Sequence, residues 1–241
     1  MDYFTSAKQL VSFAKASLAI ISKSYDVSLS EKIVKPELLI EIKNFMENLR
    51  SALDYTAHGL HDKYGTERPN VNVYFPYAWS GLSKADFRAK KVINSRIPGL
   101  STVRPDIETK IEGYQHFADP RNDWLPKFMD LNNENKHQNL THQERTETRQ
   151  LNITSGGAGI SMGQGAGIVL GKGAFIKIGN AVIPGGQKID VNNPAVIIGN
   201  AKQEIVIWVS FRFASNNEPV LPLLQASLKG VDEIVNELSQ L

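Results

Sequence analysis

The chain has 241 residues, 41% hydrophobic and 22% charged, enough to bury one large core or two small ones and too apolar for a disordered segment. Its net charge is +2, with 21 basic and 19 acidic residues up to Gln150 and six of each afterwards, so neither half has the field of a dedicated nucleic-acid coat. Cysteine is absent, which excludes disulfides, thiolate nucleophiles and cysteine-ligated zinc.

The opening MDYFTSAKQL has no basic stretch ahead of its apolar residues, so the expected compartment is the cytoplasm. Phe4 to about Lys23 places Leu10, Phe13, Ala14, Leu18 and Ile21 close to one face of a first helix. Pro36 suits a first helical turn, and Leu38, Ile42, Phe45, Leu49, Ala52, Thr56 and Leu60 recur behind it at steps of four and three. This second helix is expected to stop between Gly59 and Gly65. Val71, Val73 and Phe75 alternate before Pro76 as a short extended arm, and Ser83 with Asp86 reads as a capping box opening a helix through Ile93. Pro98 and Gly99 end it. Pro105 opens another, with Ile107, Ile111 and Tyr114 inward, and Pro120 separates that from a helix over Asn122 to about His137.

Composition changes near residue 150. All five histidines precede it and 13 of the 18 glycines follow it. Residues 142–153 read as an exposed strand, and Ile168–Leu170, Phe175–Ile178, Val182–Ile183 and Val196–Ile198 as short β-rich runs cut by glycine. Gln150 to Gly171 carries no charge, yet glycine leaves it far short of the roughly 20 mostly apolar residues of a membrane helix. Its G-x-G-x-G spacing lacks the small residue and the strand-then-helix setting of a dinucleotide loop, so the glycines are assigned to turns and close strand approach. Residues 205–213 alternate as one long strand. Leu221, Leu224, Leu228, Val231, Val235 and Leu238 then form the stripe of a last helix, with Gly230 its weak point. That stripe either packs back on the rest of the fold or forms a homodimer seam.

Reactive groups concentrate in the front half. Arg50, Asp54 and His58 recur every fourth residue on the second helix, with His61 one turn on. The helix ending LNNENKHQNL gathers Asn132, Asn135, Lys136 and His137, and asparagine is a poor interior helix former. Three readings stay open. Arg50 and Asp54 form an intrahelical ion pair while the asparagines satisfy backbone. Alternatively, Asp54, His58 and His61 hold zinc or iron. Or a polar pocket lies between the two helices, where Arg50 and Lys136 hold an anion and His137 moves a proton.

Four ordered blocks, NLRSALDYTAHGL, VYFPYA, IEGYQHF and WLPKFMDLNNENKHQNL, resemble an uncharacterised bacterial protein family. Its members share an Arg-x-x-x-Asp helix, a Phe-Pro segment, an Ile-Glu-x-x-Gln stretch and a helix ending in (Asn/Asp)-Lys-His. The resemblance spans roughly Asn48 to Leu140 and implies a polar signature at Arg50, Asp54, Gln115, Asn132, Asn135, Lys136 and His137. Tyr55 stands where that family often has histidine, and His116 where it often has proline. More remotely, a bundle with arginine and histidine on facing helices is similar to the HEPN superfamily, many of whose members are RNA-cutting toxins or nucleotide-binding helpers. Their histidine follows the arginine by four to six residues on one helix, whereas Arg50 and His58 have seven between them.

The expected fold is α+β: a helical bundle over residues 1–140, a small glycine-rich antiparallel sheet or sandwich over 141–217, and a C-terminal helix over 218–241 packing back. The expected function is that of a ligand-binding or interaction protein with a polar pocket in the bundle, lined by Asp54, His58, Gln115, Asn132 and Asn135. The alternative is a HEPN-like hydrolase of RNA or nucleotide phosphodiesters, with His137 as general acid/base and Arg50 and Lys136 stabilising charge. No metal, cofactor or membrane is expected. A small anion, a nucleotide, RNA or a second copy of the chain are the candidate partners.

Overall fold

The computed structural model describes residues 2–31, 34–67, 71–137, 143–214 and 217–241; side chains at 29, 30, 135–137, 144, 145 and 206–211 are not among those described. Helices come first, strands follow and a helix closes the chain, so the fold is α+β. The chain forms two compact units. One joins Met1–Glu144 to Phe211–Leu241, and the other is Arg145–Ser210.

The first unit is built on a long antiparallel hairpin of α1 (Tyr3–Glu31) and α2 (Pro36–Tyr64). The expected apolar stripe of α2 is buried from Leu38 to Leu60. Helix α1 runs two turns beyond its expected end, because Tyr25 and Ser28 continue its buried face through a serine-rich stretch that propensity alone would terminate. Ser83 caps α3 (Lys84–Ala89), accepting from the Asp86 N–H at 3.1 Å and donating to its carboxylate at 2.6 Å. The single helix expected here is two. Lys91 takes a left-handed φ of 47°, which breaks the backbone ladder before α4 (Val92–Arg96) starts. Short α5 (Leu100–Val103) and α6 (Pro105–Gly113) follow, the latter burying Ile107 and Ile111. A 3₁₀ turn over Pro120–Asp123 then leads into α7 (Trp124–His137), with Pro126 in its first turn, where a missing N–H costs nothing.

The last helix, α8 (Val220–Leu238), packs against α1, α2 and α7. Its buried face is wider than the predicted stripe, adding Leu223, Ser227 and Ile234. That face is therefore committed within the unit, as the expected packing back requires, and the alternative of a dimer seam on this helix is set aside. Gly230 sits where the Trp124 indole meets the α8 backbone: a Cβ there would overlap the six-membered ring and lie 2.8 Å from Nε1. The residue that weakens the helix in isolation is the one that lets α7 and α8 touch.

In the second unit, β1 (Gln143–Ser155) is the centre of a three-stranded sheet, flanked by β2 (Ala158–Gly163) and, after the strands below, β7 (Lys202–Phe213). Ile153 stands opposite Ile160 in the antiparallel β1–β2 register. Between them, β3 (Gly167–Leu170) pairs with β6 (Gln187–Asp190), and β4 (Phe175–Ile178) with β5 (Ala181–Pro184), both antiparallel. The run Val196–Ile198 forms no strand; it contributes a single bridge from Ile198 to Val182. A small core of Leu151, Ile153, Met162, Ile178, Ile183 and Ile189 holds these ribbons together. Among the described residues no helix is long and apolar enough to cross a membrane.

Candidate functional site

Helix α2 carries Arg50 and Asp54 one turn apart, so their side chains meet. Arg50 Nε donates to Asp54 Oδ2 at 3.2 Å. The second carboxylate oxygen, Oδ1, accepts the Phe75 N–H at 3.0 Å. Phe75 lies in an irregular segment, residues 71–79, whose backbone groups have no helix or strand to satisfy them. Gln115, just beyond α6 and fully buried, completes the clamp. Its Oε1 accepts from the Ala78 N–H at 2.8 Å, while Nε2 donates to the carbonyls of Pro76 at 3.3 Å and Ile111 at 2.8 Å. Asp54 and Gln115 therefore hold the Phe-Pro segment against the helices.

Arg50 itself is only 9% exposed. One N–H meets the Asp54 carboxylate, and Nη1 points at the Met129 sulfur of α7, 2.8 Å away. A thioether is a weak acceptor for a guanidinium. The guanidinium carbon also lies 5.9 Å from the centre of the Tyr77 ring. Across this seam, Asn132 is completely buried; its Nδ2 donates to the Phe128 carbonyl at 2.9 Å, and its Oδ1 has no donor among the described residues. Asn133 Nδ2 donates to the Tyr77 hydroxyl at 3.3 Å. Helix α2, the Phe75–Tyr77 stretch and α7 thus converge on Arg50.

The structure brings together four of the sequence-derived residues: Arg50, Asp54 and Gln115 around the Phe-Pro segment, and Asn132 on the facing helix. Helical register puts position 136 on the face of Met129 and Asn132, and position 137 one turn beyond Asn133. The side chains of Asn135, Lys136 and His137 lie outside the described residues. His58 does not join the group. It stacks on Tyr3 of α1 with ring centres 5.1 Å apart, because eight residues advance an α-helix by about 80° past two whole turns. His61 packs under Gly65, whose N–H donates to the His61 carbonyl at 2.7 Å. Asp54, His58 and His61 therefore have three different surroundings, and no group of three metal-binding side chains occurs among the described residues. Sequence reasoning missed Met129 and Tyr77. Met129 sits in the apolar stripe of α7, and nothing in its spacing marks it as the neighbour of a buried cation.

A second polar feature is a cleft of about 420 Å³ lined by α3 to α6. Glu112, 4% exposed, accepts from Arg88 through both oxygens at 2.6 Å, and this pairing holds its carboxyl below the usual range. Arg88 and Lys84 reach in from solvent to cover it.

Compared with known proteins, the chain matches no family model, no curated protein and no solved structure.

Proposed function

We propose that this is a ligand-binding or interaction protein whose site is the Arg50 corner between α2 and α7, and that its ligand carries a small anionic group of the phosphate or carboxylate kind. The supporting observation is a guanidinium underused among the described residues. A buried arginine is stabilised best by a two-pronged carboxylate or phosphate, yet Arg50 has one N–H on a carboxylate that it shares with the Phe75 backbone and another on a thioether. The Asn132 carbonyl oxygen on the facing helix, which has no donor among the described residues, is an acceptor for a ligand hydroxyl or amide. The sequence adds Lys136 as a second positive charge, its side chain lying outside the described residues.

Thermal shift with inorganic phosphate, nucleoside monophosphates and a short RNA tests this, using wild type and Arg50→Met. Saturation at a hundredfold over Kd stabilises wild type by about 2.7 kcal/mol, a shift of several degrees, and leaves Arg50→Met unmoved. A wild type that no anion stabilises, with Arg50→Met merely lowering Tm, would make the corner structural. The HEPN-like hydrolase reading uses the same corner, with His137 exchanging the proton. It is selected if the RNA or a nucleotide diester is cleaved by wild type and left intact by His137→Ala, and dropped if binding occurs without turnover.

A further inference from the structure

Along α1, positions 3, 6, 10, 13, 17, 20, 24 and 27 follow an unbroken alternation of three and four residues, and none carries a charge. The outer edge of this seam stands in solvent: Phe13 is 62% exposed, Ile20 58% and Val27 43%, each one heptad from the next. A period of 3.5 residues is the one that keeps a helix face turned toward a supercoiling partner. Helix α2 widens the same surface. Tyr55 lies 5.9 Å from Tyr3 ring to ring, and Asn48 and Tyr55 line a shallow groove with Leu10 and Phe13. Farther along α2, Asn44 and the half-exposed Ile40 carry this uncharged surface on. Lys15, by contrast, turns to the other flank and pairs with Asp232 of α8 at 2.9 Å.

We infer that this outward face of the α1–α2 hairpin docks a second copy of the chain, antiparallel and related by a twofold axis. Two 29-residue helices are about 43 Å long, and at the usual 8–10 Å spacing they offer a face of roughly 800 Å², the share each partner contributes to a standard stable interface. Absence of charge at the centre is the composition of an interface core. It also removes the charge pattern by which a different partner would be selected, leaving self-complementarity as the recognition principle. The residues supply it. With the axis between Ala16 and Ser17, the smallest side chains meet at the closest approach, and Phe13 falls opposite Ile20 of the second copy, twice.

Light scattering of the full chain over the micromolar range tests the inference. Wild type should show twice the 26.7 kDa chain mass, and Phe13→Lys and Ile20→Glu should each halve it. Both side chains are more than half exposed in the single chain, so the far-UV circular dichroism of either variant should not change. Mixing the two variants should restore the doubled mass, because the antiparallel register sets the new lysine against the new glutamate and leaves one Ile–Phe pair. A wild type that stays at 26.7 kDa overturns the proposal, whatever else the face then binds, lipid vesicles included. Variants that both remain dimeric overturn it too, and monomeric variants that do not pair on mixing overturn the antiparallel register.

Discussion

Replacing Gly230 with alanine separates the demands of a helix from those of its packing. In an exposed helix interior the change gains about 1 kcal/mol, since glycine is the costliest ordinary residue there. Here the added carbon enters the Trp124 indole, 2.8 Å from Nε1 and nearer still to the six-membered ring, where carbon atoms rest at about 3.5–4.0 Å. The obstacle is a rigid aromatic ring, 9% exposed, and the added atom is fixed to helix backbone, so neither side yields by a simple rotamer change. Overpacking of this kind costs about 3 kcal/mol, the upper end of its usual range. Set against the propensity gain, the net loss is about 2 kcal/mol, or roughly 4–8 °C in Tm for a unit of this size. Differential scanning calorimetry of Gly230→Ala measures it directly. Gly113→Ala, at the end of α6 with nothing within 4 Å of the new carbon, is the control and should hold or raise Tm. In a Trp124→Leu background the sign should reverse, with Gly230→Ala stabilising by up to about 1 kcal/mol. A rise in Tm for Gly230→Ala in the wild-type background would refute the packing argument.

Two further outcomes follow from the polar clamps. Gln115→Leu keeps the buried volume but strands the Ala78 N–H and the Pro76 carbonyl, so chemical denaturation should show a loss of about 3 kcal/mol. A loss no larger than that of a neighbouring surface substitution would mean that the Phe-Pro segment is held by its apolar contacts alone. Glu112 governs part of the acid limb of stability. Its folded pKa lies below the ordinary 4.5, so its contribution is fully present above that value and drains away as pH falls through the lower, folded one. Glu112→Gln should therefore flatten the Tm-against-pH curve below pH 4.5 and leave its slope at neutral pH unchanged. Identical acid limbs in wild type and variant would count against the pairing.

The apolar periodicities of α2 and α8 were legible because each is a long run with one buried face, α6 because Pro105 marks its start, and the cap at Ser83 because its chemistry is local. The break at Lys91 was not. A left-handed lysine has no sequence signature, and it is fixed by the helices on either side of it. Strands β2 and β6 were missed for a related reason: glycine dilutes one and Gln187, Lys188 and Asp190 the other, so alternation is too weak to read before the partner strand is known. Arg50 and Asp54 declared themselves as neighbours by spacing, and Asn132 by being a poor helix former inside α7. Two things required three dimensions. One was that His58 rotates away to stack on Tyr3, and the other was that Gln115 and Asp54 hold the same segment from two sides.

The placement of residues 145–210 between α7 and α8 has a consequence for how the protein folds. During synthesis α1, α2 and α7 are complete while the helix that covers them is still 82 residues away, residues 138–219, of which 66 belong to the second unit. Were those residues a loose loop, closing it would cost roughly 2 kcal/mol more than a short connection, at about 0.6 kcal/mol for each doubling of length. They are not loose. The first and last strands of the insert, β1 and β7, are hydrogen-bonded neighbours, so once that sheet has formed its two ends emerge side by side and α8 is delivered as if by a short turn. Folding of the glycine-rich unit ahead of α8 would lower the entropy barrier to closing the helical core, and on that order weakening the β1–β7 pairing should slow refolding of the helices more than it lowers their final stability.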